Sequence, residues 1–145
     1  MIPQPDFTPT IPGLIAEFTQ RHGDAEALVR EGRRITFREL NEQSAKVARA
    51  LLARGISKGS RIAILAPPCP EFVVAVLAAG RIGAIAGPLS TLYQAPELAW
   101  VLANAEFDHL IVADSFLRHD YLARLEEALP GLAQCSGGPQ HLEAA

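Results

Sequence analysis

The residues of this sequence that could do chemistry are a cysteine beside two prolines, several glutamates and one aspartate. Cys69 falls at a predicted helix start, which favours a thiolate, but no histidine lies near enough to act as its base. A capping or core position is the simpler interpretation. Glu39, Glu71 and Glu97 each fall in a predicted first helical turn, where the helix dipole explains a carboxylate without catalysis. Asp114 follows a predicted strand, but a phospho-accepting site would also need acids after an earlier strand, where this chain has prolines.

The remaining candidates do not form a constellation. His109 and His119 are isolated in the sequence, and no group of His, Cys and Asp has the spacing of a metal site. Trp100 lies off the predicted buried stripe of its helix, so both surface packing and an interface contact stay open. The sequence therefore predicts no catalytic residue and no metal site.

Phosphate binding is disfavoured by the loops. Ligands of a parallel sheet bind beyond the carboxyl ends of the strands. The first such loop, Pro67-Pro68-Cys69, has no glycine or lysine with which to wrap phosphates. Gly80, Gly83 and Gly87 run from helix into strand, whereas a phosphate cradle runs from strand into helix. We expect these glycines to end a helix and allow close packing.

The elements that must position these residues alternate along the chain. Residues 1–10 are predicted to be an extended lead-in, 11–132 an α/β domain and 133–145 a weakly ordered tail. A helix from Ile11 to about Gly23 and a hairpin turning at Glu31-Gly32 come first. A helix from Thr36 to Gly55 follows, and the residues on its buried stripe are Leu40, Ser44, Val47, Ala48, Leu51 and Leu52. The predicted strands after it cover 61–66, 84–89 (a buried strand) and 109–113. The predicted helices between and after these strands run from Pro70 to an end at Gly80 and Gly83, from Pro96 to Asn104, and over 118–129.

This alternation predicts an α/β layered fold with a parallel sheet built from successive β-α units. The segment from Arg61 to Ser90, read as strand, helix and strand, is the expected centre of the fold.

Composition narrows the class of partner. The 145 residues carry a formal net charge of -3, with a pI near 5.8, which argues against nucleic acid. Cys69 and Cys135 are too few for a disulfide framework, and no secretory signal or membrane span is evident in the sequence. A cytoplasmic location is the expectation.

The chain from about Ile11 to Leu132 resembles the N-terminal part of the adenylate-forming (AMP-binding) enzymes, most of all the acyl-CoA synthetases. The residues that match the family's motifs are Thr36, Phe37, Glu39 and Leu40 of "TYxEL", Pro70, Glu71 and Phe72 of "PEF", Gly80 of "LxxG", and Pro88 and Leu89 of the "PL" that follows. Gly59 to Ile64 matches "GDRVAI". Ala95 to Leu98 followed by HLIVAD favours the acyl-CoA synthetase branch over the peptide-synthetase branch. We expect structural roles for these residues.

The resemblance implies an ATP-dependent ligation that uses Mg²⁺ and CoA in a full-length enzyme: a carboxylate forms an acyl-adenylate, and CoA then displaces AMP. Cys69 departs from the small polar residue usual in the family, and Gly87 from the frequent Val. The Pro-Lys-Gly loop that holds the ATP phosphates does not occur in this sequence.

We therefore expect this chain to be an N-terminal structural portion of such a ligase. By itself it is expected to be inactive and to bind no cofactor. Its expected partners are a second copy of the chain or the remainder of a synthetase. A non-catalytic scaffold that self-associates or binds a synthetase is the alternative, and a small flavodoxin-like nucleotide-binding module is a weaker third.

Overall fold

A computed structural model of the chain describes residues 7–116 and 119–132. The helices are α1 (Ile11–His22), α2 (Phe37–Ala53), α3 (Pro70–Arg81), α4 (Ala95–Asn104) and α5 (Tyr121–Ala128). The strands are β1 (Glu26–Arg30), β2 (Arg33–Thr36), β3 (Arg61–Leu65), β4 (Ile85–Pro88), β5 (His109–Val112), β6 (Ser115–Phe116) and β7 (His119–Asp120). The predicted α/β class with a parallel sheet is confirmed. The tail predicted over 133–145 lies outside the described residues, as do 1–6 of the lead-in.

Contacts divide the chain into two compact units. The first holds the chain up to Ser57 together with Cys69–Gly83, which places α1, the β1–β2 hairpin, α2 and α3 in it. The second holds Lys58–Pro68 and the chain from Ala84 onward. The segment from Arg61 to Ser90 thus contributes its helix to the first unit and its two strands to the second. Among the described residues, no helix combines the length and apolarity that a membrane span requires.

In the first unit, local sequence signals set the ends of the elements. The hairpin turns at Glu31 and Gly32, both with positive φ (49° and 81°), the backbone that a tight hairpin turn needs. Helix α2 closes at Gly55, whose φ is 82°, while Ile56 N–H bonds to the Leu51 carbonyl (3.1 Å). This is the Schellman arrangement expected of a glycine that follows a helix.

The core of the first unit joins the hairpin to two helices. Ile35 of β2, Leu40 of α2 and Val74 of α3 are buried together, with partly buried aliphatic side chains around them. Burying this set of side chains is the main stabilisation available to the unit, because apolar burial contributes about 25 cal/mol per Å².

In the second unit, β3 is the central strand of a parallel sheet ordered β4-β3-β5. Its residues Ile62, Ala63, Ile64 and Leu65 have no exposed surface, as expected of a strand covered on both faces. Helices α4 and α5 complete the core of this unit. The buried residues of that core are Ala63, Leu65, Leu98, Leu102, Tyr121 and Leu125.

Four details of the sequence prediction were wrong. Strand β4 is not buried: its only partner among the described strands is β3, so it is an edge strand and Ile85 is 54% exposed. Leu52 is also exposed, because it lies at the margin of the buried face of α2. Gly80 does not end α3 but lies inside it, and Gly83 takes the left-handed conformation beyond the end (φ 73°).

The fourth detail concerns the last helix, which was predicted from Arg118, a residue outside the described ones. Helix α5 begins at Tyr121, because the Asp120 carboxylate accepts from Ala123 N–H (2.9 Å) and caps it there. The two residues before the helix form β7, which pairs antiparallel with β6. The sequence prediction missed this short pair of strands.

Candidate functional site

The motif residues at the start of α2 form a cap. Thr36 N–H donates to Glu39 Oε2 (2.8 Å), and Glu39 N–H donates to Thr36 Oγ1 (3.2 Å), which is the predicted capping box. The hydrogen bonds that the Thr36 backbone N–H and hydroxyl donate to the Glu39 carboxylate lower the pKa of this exposed carboxyl. Phe37 stacks on Phe18 of α1, with 5.4 Å between ring centroids, and Leu40 is buried in the core. All four motif residues therefore act in local structure.

The motif residues at the start of α3 are also explained by helix geometry. Pro70 is buried at the first helical positions, and Cys69 is the N-cap without a side-chain capping bond. The Glu71 carboxylate accepts from the Arg33 guanidinium of β2, and that hydrogen bond lowers the pKa of the Glu71 carboxyl. Phe72 is half-buried. The Glu71 carboxylate is thus the ion-pair partner of Arg33.

The remaining motif residues allow close packing or continue the sheet. A Cβ atom added at Gly80 would lie 2.8–3.0 Å from side-chain carbons of Ile11, so the glycine lets α1 approach α3. In the second unit, Pro88 ends β4 and Leu89 N–H donates to the Ile64 carbonyl (2.9 Å). The motif residues thus fall in both units, and they do not form one catalytic cluster within either.

The residues considered first for chemistry are dispersed. Asp114 and Trp100 are exposed, Trp100 by 67%, whereas His109 is half-buried in β5. No group of three or more His, Cys, Asp and Glu within the described ranges could hold a metal ion. Several polar side chains of the described residues instead make contacts within the fold.

Two arginines missed by the sequence prediction make the most connected of these contacts. In the first unit, Arg81 Nε donates to Ser44 Oγ (3.1 Å), and its Nη2 donates to the Asn41 backbone carbonyl (3.2 Å) and to Asn41 Oδ1. Burial lowers the pKa of the Arg81 guanidinium. Ser44 is fully buried and donates to the Leu40 carbonyl (2.7 Å).

In the second unit, Arg124 of α5 holds the loop that follows β4. Its Nη1 donates to the carbonyls of Thr91 (3.1 Å) and Tyr93 (2.8 Å). Its Nη2 lies 2.9 Å from His119 Nδ1, and the guanidinium covers the Tyr121 ring at 5.7 Å from the centroid. No local sequence pattern pairs an arginine with carbonyls about thirty residues away, so sequence reasoning had no signal for this cluster.

The solved structures that this fold resembles are adenylating proteins. The N-terminal subdomain of Klebsiella oxytoca NpsA, in complex with anthranilyl-AMSN, aligns with a TM-score of 0.70 and 33% identity, covering 72% of this chain and 27% of that chain. The anthranilate CoA ligase AuaEII, in complex with anthranoyl-AMP, aligns with a TM-score of 0.68 and 25% identity, covering 75% and 21%. The fold is that of the N-terminal region of an adenylate-forming enzyme.

The chain belongs to the AMP-binding enzyme family, whose sequence model matches residues 15–141. The acyl-CoA ligase sidI of Aspergillus fumigatus is 36% identical over 125 residues, which cover 85% of this chain and 20% of that protein. An acetyl-coenzyme A synthetase of Alkalilimnicola ehrlichii is 35% identical over 105 residues, covering 68% and 16%. The resemblance seen in the motifs is thereby confirmed. The chain spans about a fifth of the length of the curated relatives it matches.

Proposed function

We propose that this chain is the N-terminal structural portion of an acyl-CoA synthetase-like ligase and that the 145 residues alone do not catalyse ligation. The observation that carries the proposal is the match to relatives named acyl-CoA ligase and acetyl-coenzyme A synthetase over about a fifth of their length. In the full-length reaction a carboxylate and ATP would form an acyl-adenylate, and CoA would then take the acyl group. ATP, Mg²⁺ and CoA are the cofactors and substrates that this reaction implies.

The charged side chains of the described residues support the proposal that this chain is inactive by itself. Enzymes typically lower a barrier by about 8–23 kcal/mol, and stabilising the charge that develops when a carboxylate attacks the α-phosphate of ATP calls for preorganised cations and backbone donors. Here six arginines of the described residues bond to carboxylates or carbonyls of the fold. The pairs are Arg33 with Glu71, Arg34 with Glu26, Arg38 with Asp24, Arg61 with Glu106, Arg81 with Asn41, and Arg124 with Thr91 and Tyr93. Lys46 and Lys58 are exposed side chains.

An activity assay tests this proposal directly. The purified chain is incubated with ATP, Mg²⁺, CoA and a panel of carboxylates that includes acetate, a long-chain fatty acid and anthranilate. We expect no AMP above the protein-free blank, while a full-length acyl-CoA ligase in the same buffer forms AMP and thioester. The control is Leu125→Asp, which places a charge in the core of the second unit and should unfold it. AMP formation present in the native chain and absent from that variant would overturn the proposal.

The supporting role has a positive test of its own. A chimera in which these residues replace the corresponding part of a full-length relative should form AMP and thioester. A chimera that is folded, binds ATP and yet makes no acyl-adenylate would contradict the role proposed here.

A second candidate, a self-associating scaffold, is favoured by the exposed edge of the second unit. Strand β4 has one partner among the described strands, and Ile85 on it is 54% exposed. Leu92 and Trp100 are 73% and 67% exposed in the same unit. An unprotected edge strand with apolar side chains is a template for pairing with another chain.

Ile85→Lys is expected to abolish association through this edge, because a charged side chain on an edge strand disfavours pairing with a second strand. Light scattering across a wide range of concentration would show the native chain growing beyond monomer mass and the variant remaining monomeric. Val29→Lys is the matched control, since Val29 is an equally exposed aliphatic residue (56%) on a strand of the other unit. A native chain that stays monomeric at every concentration excludes the scaffold.

A further inference from the structure

The loop from Ser90 to Gln94 is held by hydrogen bonds of its own, by the first turn of α4 and by one distant side chain, that of Arg124. Within the loop, Leu92 N–H donates to Ser90 Oγ and Tyr93 N–H to the Ser90 carbonyl, each at 3.2 Å. Both contacts are at the long end of hydrogen-bond geometry. At the end of the loop, Gln94 N–H donates to Glu97 Oε2 (2.7 Å) and Gln94 Nε2 donates to the Leu92 carbonyl (3.0 Å). From a distant part of the chain, Arg124 donates to the Tyr93 carbonyl (2.8 Å), across 31 residues of sequence. Arg124 therefore positions this loop.

His119 in turn positions Arg124, and only in one protonation state. A guanidinium has donors and no acceptor, so a contact of 2.9 Å to Nδ1 requires that Nδ1 carry a lone pair. The imidazole must then be neutral, with its proton on Nε2. A protonated imidazole would have a donor at Nδ1 and a positive charge facing the Arg124 cation, so both the hydrogen bond and the Coulomb energy would turn unfavourable.

The described elements beside His119 bring two charged side chains next to it, Arg124 and Asp120. Helix α5 contributes the Tyr121 ring, stacked at 6.4 Å between centroids, besides Arg124 itself. The adjacent Asp120 is exposed, and its carboxylate is already the N-cap of α5. The paired strand β6 contributes Ser115 and Phe116, which are uncharged.

We propose that His119, Arg124 and the carbonyls of Thr91 and Tyr93 form a proton-sensitive clamp, which holds the loop from Ser90 to Gln94 when His119 is neutral and releases it when His119 is protonated. The loop follows the carboxyl end of β4, the edge at which parallel α/β sheets bind ligands. It also leads directly into α4, whose N-cap is Gln94. Acidification would thus loosen the binding edge of the sheet in the second unit. The clamp does not depend on the proposed ligase role, because all its atoms belong to this chain.

Nuclear magnetic resonance of the whole chain tests the clamp. In the native chain near neutral pH, the His119 side-chain nitrogens should show the Nε2–H tautomer. As His119 becomes protonated, the hydrogen-exchange protection factors of the Leu92 and Tyr93 amides should fall about tenfold, the effect of losing one charge-assisted hydrogen bond. Protection factors are used because they remove the intrinsic dependence of exchange on pH.

Substitutions assign the effect to these side chains. His119→Asn keeps an acceptor oxygen close to the position of Nδ1 and cannot titrate, so the loop should stay protected across the same pH range. Arg124→Met should lose about tenfold protection at every pH. His22→Asn, which removes an exposed histidine of the first unit, should behave as the native chain. If Arg124→Met does not fold, the comparison of His119→Asn with His22→Asn still decides the matter. An Nδ1–H tautomer, or an equal loss of protection in His119→Asn on acidification, overturns the proposal.

Discussion

Gly87→Val is expected to lower the free energy of unfolding by about 2 kcal/mol. A Cβ atom added at Gly87 would lie 2.4 Å and 2.5 Å from Cε1 and Cζ of the Phe107 ring, far inside van der Waals contact. Phe107 packs against the core of the second unit, so its ring can move only by giving up apolar contacts. Replacing a strand glycine recovers about 0.5–1 kcal/mol of backbone entropy, which offsets part of the steric cost.

A double-mutant cycle measures whether Phe107 is the cause. Gly87→Val combined with Phe107→Ala should cost at least about 1 kcal/mol less than the sum of the two single substitutions, because Phe107→Ala removes the ring that the valine would meet and the valine fills part of the space left by that ring. Gly131→Val is the control: its added Cβ would meet no atom of the described residues within 4 Å, so its effect should be within about 0.5 kcal/mol. Urea titration of all four variants gives these values. Additive losses, or an equal loss in Gly131→Val, would show that the ring is not the constraint.

This pair also accounts for a departure from the family pattern. The resemblance to the family implies a valine where this chain has Gly87, and the sequence alone did not explain this departure. The Phe107 ring lies where such a valine side chain would have to go. Gly87 and Phe107 are therefore sterically coupled, and replacing Gly87 by valine is expected to destabilise this chain.

The features that the sequence predicts correctly are local ones. The capping box of Thr36 and Glu39 joins residues only three positions apart, and Gly55 closes α2 through a left-handed φ of 82°. Such signals are complete within a few residues, so no tertiary information is needed to find them. The central strand β3 was likewise visible as a short, wholly apolar run.

The features that the sequence misses depend on which element lies beside which. An apolar run does not distinguish an edge strand from a central one, so β4 was wrongly predicted to be buried although Ile85 is exposed. The sequence predicts that Gly80 ends its helix, but in the structure Gly80 leaves room for the side chain of Ile11, which lies almost seventy residues earlier in the chain. The Arg124 contacts with the loop after β4 cross 31 and 33 residues and carry no sequence motif.

Arg81→Met is expected to destabilise the first unit by about 2–3 kcal/mol, because hydrogen bonds from a charged group contribute about 1.5–3 kcal/mol each and are not additive. The guanidinium joins the end of α3 to α2 through Ser44 Oγ, the Asn41 carbonyl and Asn41 Oδ1. Methionine keeps the length of the apolar stem and removes every donor, and it leaves the fully buried Ser44 hydroxyl without the Arg81 donor.

Two further substitutions separate charge from geometry in this contact. Arg81→Lys keeps the cation but cannot reach Ser44 and Asn41 together, so it should recover less than half of the loss, because an ammonium lacks the planar fork of donors. Arg49→Met, on an exposed position of α2, should change the stability by no more than about 0.5 kcal/mol. Full recovery in Arg81→Lys would mean that the positive charge alone matters. A loss in Arg81→Met no larger than in Arg49→Met would mean that the contact between α2 and α3 is held by apolar packing without this guanidinium.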